Sequence, residues 1–420
     1  MNIADVVEDV LTQAQYESER TDFPEGFPDP IDVDARRYTD PNFTKLEKEY
    51  VLDKTWQFVG HEAQVKNVGD YRLLEWLEEP IFIVRAEDNK VRAFYNTCKH
   101  RGAKIVIEPE GNKRRLVCPL HGWAYSHEGE LLGLPESKNF PRNILNSEEK
   151  KCLNLKEVRL ETYGPLLFIN ISGDAEPLRE AMGVGADELD HLLGDLSDDC
   201  HLIDETILPM QSNWKIVGDV NIETYHVNTA HRTTGAPLLD VSTTAQWLLP
   251  KGNSRMMVCF NDKTQHGIDK NAENPLIPLA KGLEVNPLPA KGIYSFHFFP
   301  NFSIVLAGPQ IWYLITAVPK GAHESNCLVQ QVSACPRGIG HDELLDKLCA
   351  FNFNLLNEDF AQEPGMQSGM RDGGLTKLKL QYQERRIRKL HEDIDKWIGP
   401  ERVPEELRTE SLLHDYVVEV

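Results

Sequence analysis

Two short segments of the chain each carry one cysteine and one histidine: Cys98-Lys99-His100 and, seventeen residues on, Cys118-Pro119-Leu120-His121. Four ligand side chains this close together force the surrounding fold into two adjoining loops held by a rigid scaffold. An all-thiolate plant-type iron-sulfur cluster needs a different cysteine run. Two imidazoles replacing two thiolates on one iron of a 2Fe-2S cluster fit the set, and such a centre has a potential well above that of an all-cysteine cluster. A Cys2His2 set can also hold structural zinc, although a zinc finger usually takes both cysteines from one knuckle and both histidines from another. Here each loop gives one of each, so electron transfer is the expected task, with zinc as the alternative.

Gly102 and Gly122 closely follow the ligands and Pro119 stiffens the second loop, which lets backbone amides turn toward cluster sulfurs where a side chain would block them. Cys-x-His-Arg-Gly followed by Cys-Pro-Leu-His-Gly-Trp, at Cys98 to Gly102 and Cys118 to Trp123, resembles the Rieske domain of the non-haem iron ring-hydroxylating oxygenases, in their catalytic (alpha) subunits. The resemblance implies one Rieske 2Fe-2S cluster bound by Cys98, His100, Cys118 and His121.

At 420 residues the chain is long enough for two domains with proper cores. Its longest apolar runs, such as Pro165 to Ile171, fall far short of a membrane span, and its N-terminus has acidic residues in place of the basic start of a signal peptide. The expectation is a soluble, cytoplasmic protein with no membrane partner. The six cysteines outside the motif show no paired spacing, which predicts free thiols. A net charge of -21 argues against a nucleic-acid partner.

Ile3, Val6, Val7, Val10 and Leu11 recur at helical spacing, predicting an amphipathic N-terminal helix. Pro24, Pro28 and Pro30 then hold an extended segment, and Asp40-Pro41 opens a helix to about Leu52. From Trp56 to about Ile171 short alternating or apolar runs, broken by Gly, Asp and Asn, predict a small antiparallel β domain with the two ligand loops at strand ends. Helices are then expected near Glu176 to Leu193 and Asn213 to Thr229, and strands near Met256 to Asn261, Ile293 to Val305, Ile311 to Val318 and Cys327 to Ala334. Asp342 to Gln362 and Leu375 to Ile398 carry helical periodicity, the second so charged (Glu384, Arg385, Arg386, Arg388, Lys389) that it suggests a solvated or subunit-facing helix. The predicted domains are an N-terminal helical segment at 1–54 packing on the catalytic domain, a Rieske domain at 55–172 and the catalytic domain at 173–420. Phe260, Phe296, Phe298, Trp312 and Tyr313 lie on strands that could wall an apolar cavity.

An electron carrier needs an acceptor. The stretch from Asn213 to His231 offers Asp219, Glu223, His226 and His231, and two imidazoles with one carboxylate form the facial triad of non-haem iron(II) oxygenases. At about 100° per residue, Asp219, Glu223 and His226 share an arc of roughly 60°, while His231 lies about 140° from His226. The helix must deform or end between the histidines, and Asn228-Thr229, both poor helix formers, mark the expected break.

Asn213-Trp214-Lys215, then Glu223-Thr224-Tyr225-His226 through His231, resemble the mononuclear-iron segment of the same family. This implies His226 and His231 as iron ligands and Glu223 as the bridging carboxylate that meets a Rieske histidine across a subunit boundary. Most ring dioxygenases have Asp at that place; Glu is similar to the branch that oxidises quaternary ammonium compounds. Asp219 matches a second acidic position, read either as support of the electron path or as a helix-surface carboxylate. The third ligand is implied at Asp359, with Glu358 as the alternative, because Gln367 follows Asp359 by the eight residues of the family pattern. Where the family often has glutamate, this chain has Pro364, with Glu363 one place early.

The resemblance runs from Tyr38 to about His391. It implies an α+β fold, with a small antiparallel β Rieske domain and a larger helix-grip-like catalytic domain of antiparallel sheet and helices. It also implies a terminal oxygenase component that uses dioxygen and electrons from NAD(P)H, delivered by a separate flavin and iron-sulfur reductase or ferredoxin, to hydroxylate an aromatic compound at mononuclear Fe(II). The alternatives are a monooxygenase or demethylase for a quaternary ammonium, methoxy or N-methyl substrate, and an electron-transfer protein without oxygenase activity. A head-to-tail homotrimer, with or without a beta subunit, is implied, in which Glu223 of one chain meets His100 or His121 of the next.

Overall fold

The structure, a computed structural model, describes residues 3–28, 32–140, 145, 148–193, 200–265, 291–307 and 311–418. Of the extended-segment prolines, Pro30 lies outside these. The chain divides into two compact units, one of Trp56–Leu178 and one of Met1–Thr55 with Arg179–Val420.

The smaller unit is built on strands β1 (Gln57–His61), β2 (Asp70–Leu73), β3 (Ile81–Arg85), β4 (Val91–Tyr95), β5 (Glu110–Asn112), β6 (Leu116–Val117), β7 (Ala124–Tyr125), β8 (Leu131–Gly133), β9 (Glu157–Tyr163) and β10 (Leu166–Asn170). Seven form one antiparallel sheet in the order β1-β10-β9-β4-β3-β2-β5; β6-β7-β8 form a second, three-stranded sheet. Phe82, Val84, Phe94, Ile105, Leu116, Trp123 and Tyr125 form its core, and Cys98 and Cys118 belong to the same buried cluster.

The larger unit contains an antiparallel sheet of β11 (His201–Met210), β12 (Leu239–Leu248), β13 (Ser254–Phe260), β14 (Gly292–Phe298), β15 (Phe302–Ala307), β16 (Trp312–Pro319) and β17 (Ser325–Ser333), in the order β11-β17-β16-β15-β14-β13-β12. Its helices include α1 (Ile3–Glu19), α2 (Pro41–Glu47), α3 (Val184–Leu193), α4 (Trp214–Asn221), α5 (Val227–Ala230), α6 (Asp342–Phe360), α7 (Glu363–Arg371) and α8 (Arg385–Ile398). Val6, Val10 and Ala14 of α1 are buried, and Asp9 pairs with Arg255 of β13 at 3.2 Å. Asp40 caps α2, accepting from the Asn42 amide ahead of the proline. The edge strands β11 and β12 escaped the sequence reading: β11 carries Pro209, tolerated at a sheet edge, and β12 is interrupted by a register shift between Asp240 and Ala245.

Two helix expectations are corrected. Leu375 to Gln381 is not helical, because Lys377–Lys379 pairs antiparallel with Asp32–Asp34; a 3-10 turn, Tyr382–Glu384, capped by a box of Gln381 and Glu384, leads into the α-helix that starts at Arg385. Nor is α8 solvated, since Arg385, Arg386, Arg388, Lys389, Glu392, Asp393 and Asp395 are all buried. Most of their charges are matched within the unit: Arg388 pairs with Glu392, Lys389 with Asp393 and Asp395 with Arg37 at 2.7 Å, while Arg386 donates to the Ser254 hydroxyl at 2.9 Å and the Ile222 carbonyl at 3.2 Å. Such pairing offsets the cost of burying charge.

Candidate functional site

The two cysteine–histidine loops share one backbone design. The Cys98 amide donates to the Ala103 carbonyl and the Gly102 amide to the Cys98 carbonyl; the Cys118 amide donates to Trp123 and the Gly122 amide to Cys118, all at 2.8–3.0 Å. Closing each turn needs a left-handed residue, and Gly102 (φ +78°) and Gly122 (φ +72°) supply it. The cysteines are buried, while His100 is half-buried and His121 exposed, so the imidazole side of the site faces outward. The Tyr125 hydroxyl accepts from the Lys99 amide at 3.2 Å and lies 3.4 Å from Cys98 Sγ. Trp123 stacks on His100, 5.0 Å between centroids.

His100 Nδ1 and His121 Nδ1 face each other at 3.2 Å. Two nitrogens bonded to one tetrahedral metal at ~2.1 Å would be about 3.4 Å apart, so the pair fits one iron. None of the eight cysteines is in a disulfide. Burial pushes the Cys98 thiol up, a penalty that metal ligation relieves by replacing the proton.

In the larger unit α4 stops at Asn221, well before the expected break. Asn228 and Thr229 are instead inside α5, whose ends are His226 and His231. Between the two helices the Glu223 carboxylate accepts from the Tyr225 and His226 amides and from His226 Nδ1, holding the turn that leads into α5. Placing the histidines at opposite ends of a single turn resolves their angular mismatch. His226 Nε2 and His231 Nε2 lie 3.1 Å apart, and Asp359 Oδ1, from the last turn of α6, is 3.5 and 3.2 Å from them. Adjacent vertices of an octahedron with ~2.1 Å bonds are about 3.0 Å apart. The three atoms therefore match one octahedral face, and among the described residues they are the group of His, Cys, Asp and Glu side chains brought together for a single ion.

Glu358 does something different. It accepts from His231 Nδ1 at 2.7 Å and from the Thr234 hydroxyl at 2.6 Å. Each histidine thus has a carboxylate behind it, Glu223 or Glu358, which fixes the proton on Nδ1 and turns Nε2 toward the site. Burial opposes charge on both rings, yet these carboxylates and Asp359 outweigh it and raise both above the ordinary histidine value.

Gln367 braces the frame: its side chain accepts from the Asn213 amide at 2.7 Å and donates to the Tyr38 carbonyl at 3.2 Å. Glu363 accepts from Ser212 at 2.6 Å, and Pro364 sits in the first turn of α7, where its missing N–H costs nothing.

Asp219 is not a surface carboxylate. It is 5 % exposed, and Tyr38 donates to its Oδ2 at 2.6 Å. Since the Tyr38 proton is committed to Asp219, His391 Nε2, 2.7 Å from the same hydroxyl, must be a donor. Its Nδ1 is then the acceptor for Arg37 Nε at 2.9 Å. Lys215 is held by Glu47 at 2.7 Å. In this buried group Arg37 answers Asp395 and Lys215 answers Glu47, leaving Asp219 the unmatched carboxylate, with Oδ1 unbonded. Burial holds its carboxyl up at about 7.

A cavity of ≈ 500 Å³, counting its open mouth, adjoins His226, His231 and Asp359. Its walls come from Val220, Val227, Leu239 and Val258 and a row of sheet residues, and its described lining contains no lysine or arginine. Of the five expected aromatic wall residues only Tyr313 lines it; Phe296 and Phe298 stack on each other elsewhere, at 6.0 Å. The aliphatic lining was missed because only strand register, not residue type, selects it.

Comparison with known proteins agrees with both halves. The family model described as "Rieske [2Fe-2S] domain" matches residues 55–157, which sets the zinc reading aside. That described as "Ring hydroxylating alpha subunit (catalytic domain)" matches residues 189–400. Relatives include the 2-aminobenzenesulfonate 2,3-dioxygenase subunit alpha of Alcaligenes sp, 33% identical over 225 residues, covering 53% of this chain and 56% of that one. The carnitine monooxygenase oxygenase subunit of Escherichia coli (strain K12) is 35% identical over 202 residues, 47% of this chain and 52% of that one. The chain thus spans about half the length of these curated relatives in the matched stretches. Among solved structures, a quaternary ammonium Rieske monooxygenase has a TM-score of 0.72 at 20% identity, covering 90% of this chain and 99% of that one. Naphthalene 1,2-dioxygenase from Rhodococcus sp. has 0.71 at 20%, covering 89% and 95%. At these identities the likeness is one of fold. No helix among the described residues is long and apolar enough to cross a membrane. With a matched Rieske domain and a catalytic-domain match over half its length, the chain belongs to the family of ring hydroxylating alpha subunits.

Proposed function

We propose that the chain is the terminal oxygenase component of a Rieske system, hydroxylating a neutral aromatic compound with dioxygen and electrons from NAD(P)H. The observation that carries this is the His226, His231 and Asp359 face opening on an aliphatic cavity in a chain that also has a Rieske domain. Bound metal would supply single-electron delivery at the Rieske loops and coordination positions open to dioxygen at the second site. The chain's own residues do the rest. Glu223 and Glu358 orient the two imidazoles, Asp359 supplies the negative charge that a dication needs, and Val220, Leu239 and Val258 keep water from the reacting ring.

The lining favours the aromatic reading over the quaternary ammonium one. A trimethylammonium group needs an aromatic cage or a free carboxylate, whereas the described walls offer one aromatic ring, and Glu223 is committed to His226. Chemically reduced protein should consume oxygen in step with a hydroxylated product; a pure electron carrier would show only slow autoxidation.

Electron donors are a separate flavin and iron-sulfur reductase or a ferredoxin, and the assembly is a homotrimer in which Glu223 meets a Rieske histidine of the next chain. Tyr225, 69 % exposed beside Glu223, suits such a contact. Mixing a Cys118→Ser chain with a His226→Ala chain after dissociation should restore part of the activity. Fully metallated mixed trimers without activity would place the electron route within one chain.

A further inference from the structure

One wall of the cavity is a single row across four strands. Met256 of β13 faces Ser295 of β14, Ser295 faces Val305 of β15 and Val305 faces Tyr313 of β16; all four line the cavity. Because side chains alternate along a strand, Tyr294 and Phe296 turn to the other face, Tyr294 donating to Glu188 at 3.0 Å and Phe296 stacking on Phe298. Ser295 is thereby directed to the cavity. It is the odd member of an apolar and aromatic row, 1 % exposed, and its Oγ has no hydrogen-bond partner. Of the other two hydroxyl residues on this lining, Thr224 is paired with Thr244 at 2.6 Å and Tyr313 ends the same row. An unpaired buried hydroxyl is retained against a standing desolvation cost, and a single χ1 torsion swings Oγ among its staggered positions.

We infer that Ser295 is a specificity-determining residue that hydrogen-bonds a polar substituent of the substrate, an aromatic ring bearing one neutral group such as a hydroxyl, carbonyl or amine. The aliphatic walls take the ring. The described lining offers an anionic substituent no lysine or arginine. This rests on the reading of the cavity as the oxygenase's substrate site, and deepens it.

The test is calorimetric titration of the anaerobic, metal-loaded protein with toluene, phenol, acetophenone and benzoate. In the wild type, phenol or acetophenone should bind about five- to thirty-fold more tightly than toluene, the range of one hydrogen bond to a buried group, and benzoate more weakly than either. Ser295→Ala should erase that preference while leaving toluene binding unchanged; Ser295→Thr, which keeps the hydroxyl, should retain part of it. Equal weakening of all ligands by Ser295→Ala, an unchanged ratio, or no binding of any neutral ring would overturn the assignment. A Ser295-dependent ratio without oxygen incorporation would instead leave the Ser295 contact standing and remove the oxygenase reading.

Discussion

In the Rieske loops the ligands are held by backbone: two glycine turns with the same hydrogen-bond pattern, closed within a few residues of each cysteine. In the mononuclear site they are held by other side chains, with Glu223 behind His226, Glu358 behind His231, and Gln367 and Glu363 tying α7 to residues 212 and 213 at the head of α4. A backbone-built site depends on local sequence and is largely indifferent to distant substitutions. A side-chain-built site depends on ionisation states and on segments far apart in the chain.

The largest effect should be a double dissociation. Asp359→Ala is expected to lower iron affinity at the second site by more than about 100-fold, beyond the range for removing an outer partner, with the Rieske signal intact. Cys118→Ser should do the reverse. Metal analysis with electron paramagnetic resonance decides, and loss of both metals in either variant would break the comparison.

A second expectation follows from Asp219, whose carboxyl is raised by burial to about 7 from an ordinary 3.8. A raised carboxylate costs stability when it is charged. The cost is absent below pH ~4, grows through the interval and is complete above pH ~7, reaching at most about 4 kcal/mol for a shift of this size. Asp219→Asn, whose amide oxygen can still accept from Tyr38, should remove that slope. The stability gap between variant and wild type, measured by denaturant unfolding, should widen from pH 4 to 7; a constant gap would show that Asp219 is already charged at acid pH.

Smaller still, Glu358→Ala should weaken iron binding about 10- to 100-fold, the usual effect of losing a carboxylate behind a ligating histidine. If it removed iron as completely as Asp359→Ala, the ligand would be one residue earlier. Least of all, Gly102→Ala should cost about 1–2 kcal/mol from its left-handed backbone, since a Cβ there meets nothing within 4 Å. Circular dichroism melting and cluster content report it, and an unaffected cluster would show that the loop tolerates strain.

The same contrast explains what could be read from the sequence. Cys98 to His121 was legible because the ligands and the glycines that shape their loops are neighbours in the chain. His226 and His231 were visible as residues, but the break was misplaced, since propensity pointed to Asn228-Thr229 while α4 ends at Asn221 and those two residues lie inside α5. Asp359 could be proposed only through family resemblance; nothing local distinguishes it from Glu358, and it is the fold that turns one into the site and the other onto Nδ1 of His231. The charges of α8 looked solvated because a partner such as Arg37 lies 358 residues from Asp395. Ser295 was invisible for a related reason: a serine in a strand becomes notable only when register gives it Met256 and Val305 as neighbours.

The four-residue helix α5 is far too short to hold itself together in water. It carries one of the two proposed iron-binding histidines at each end, and Val227 within it forms part of the cavity wall. Whatever orders this one turn serves both the metal and the substrate. By thermodynamic reciprocity, a substrate that steadies α5 must tighten iron binding by the same factor with which iron tightens substrate binding, and the two would then act as effectors of one another through a single turn of helix.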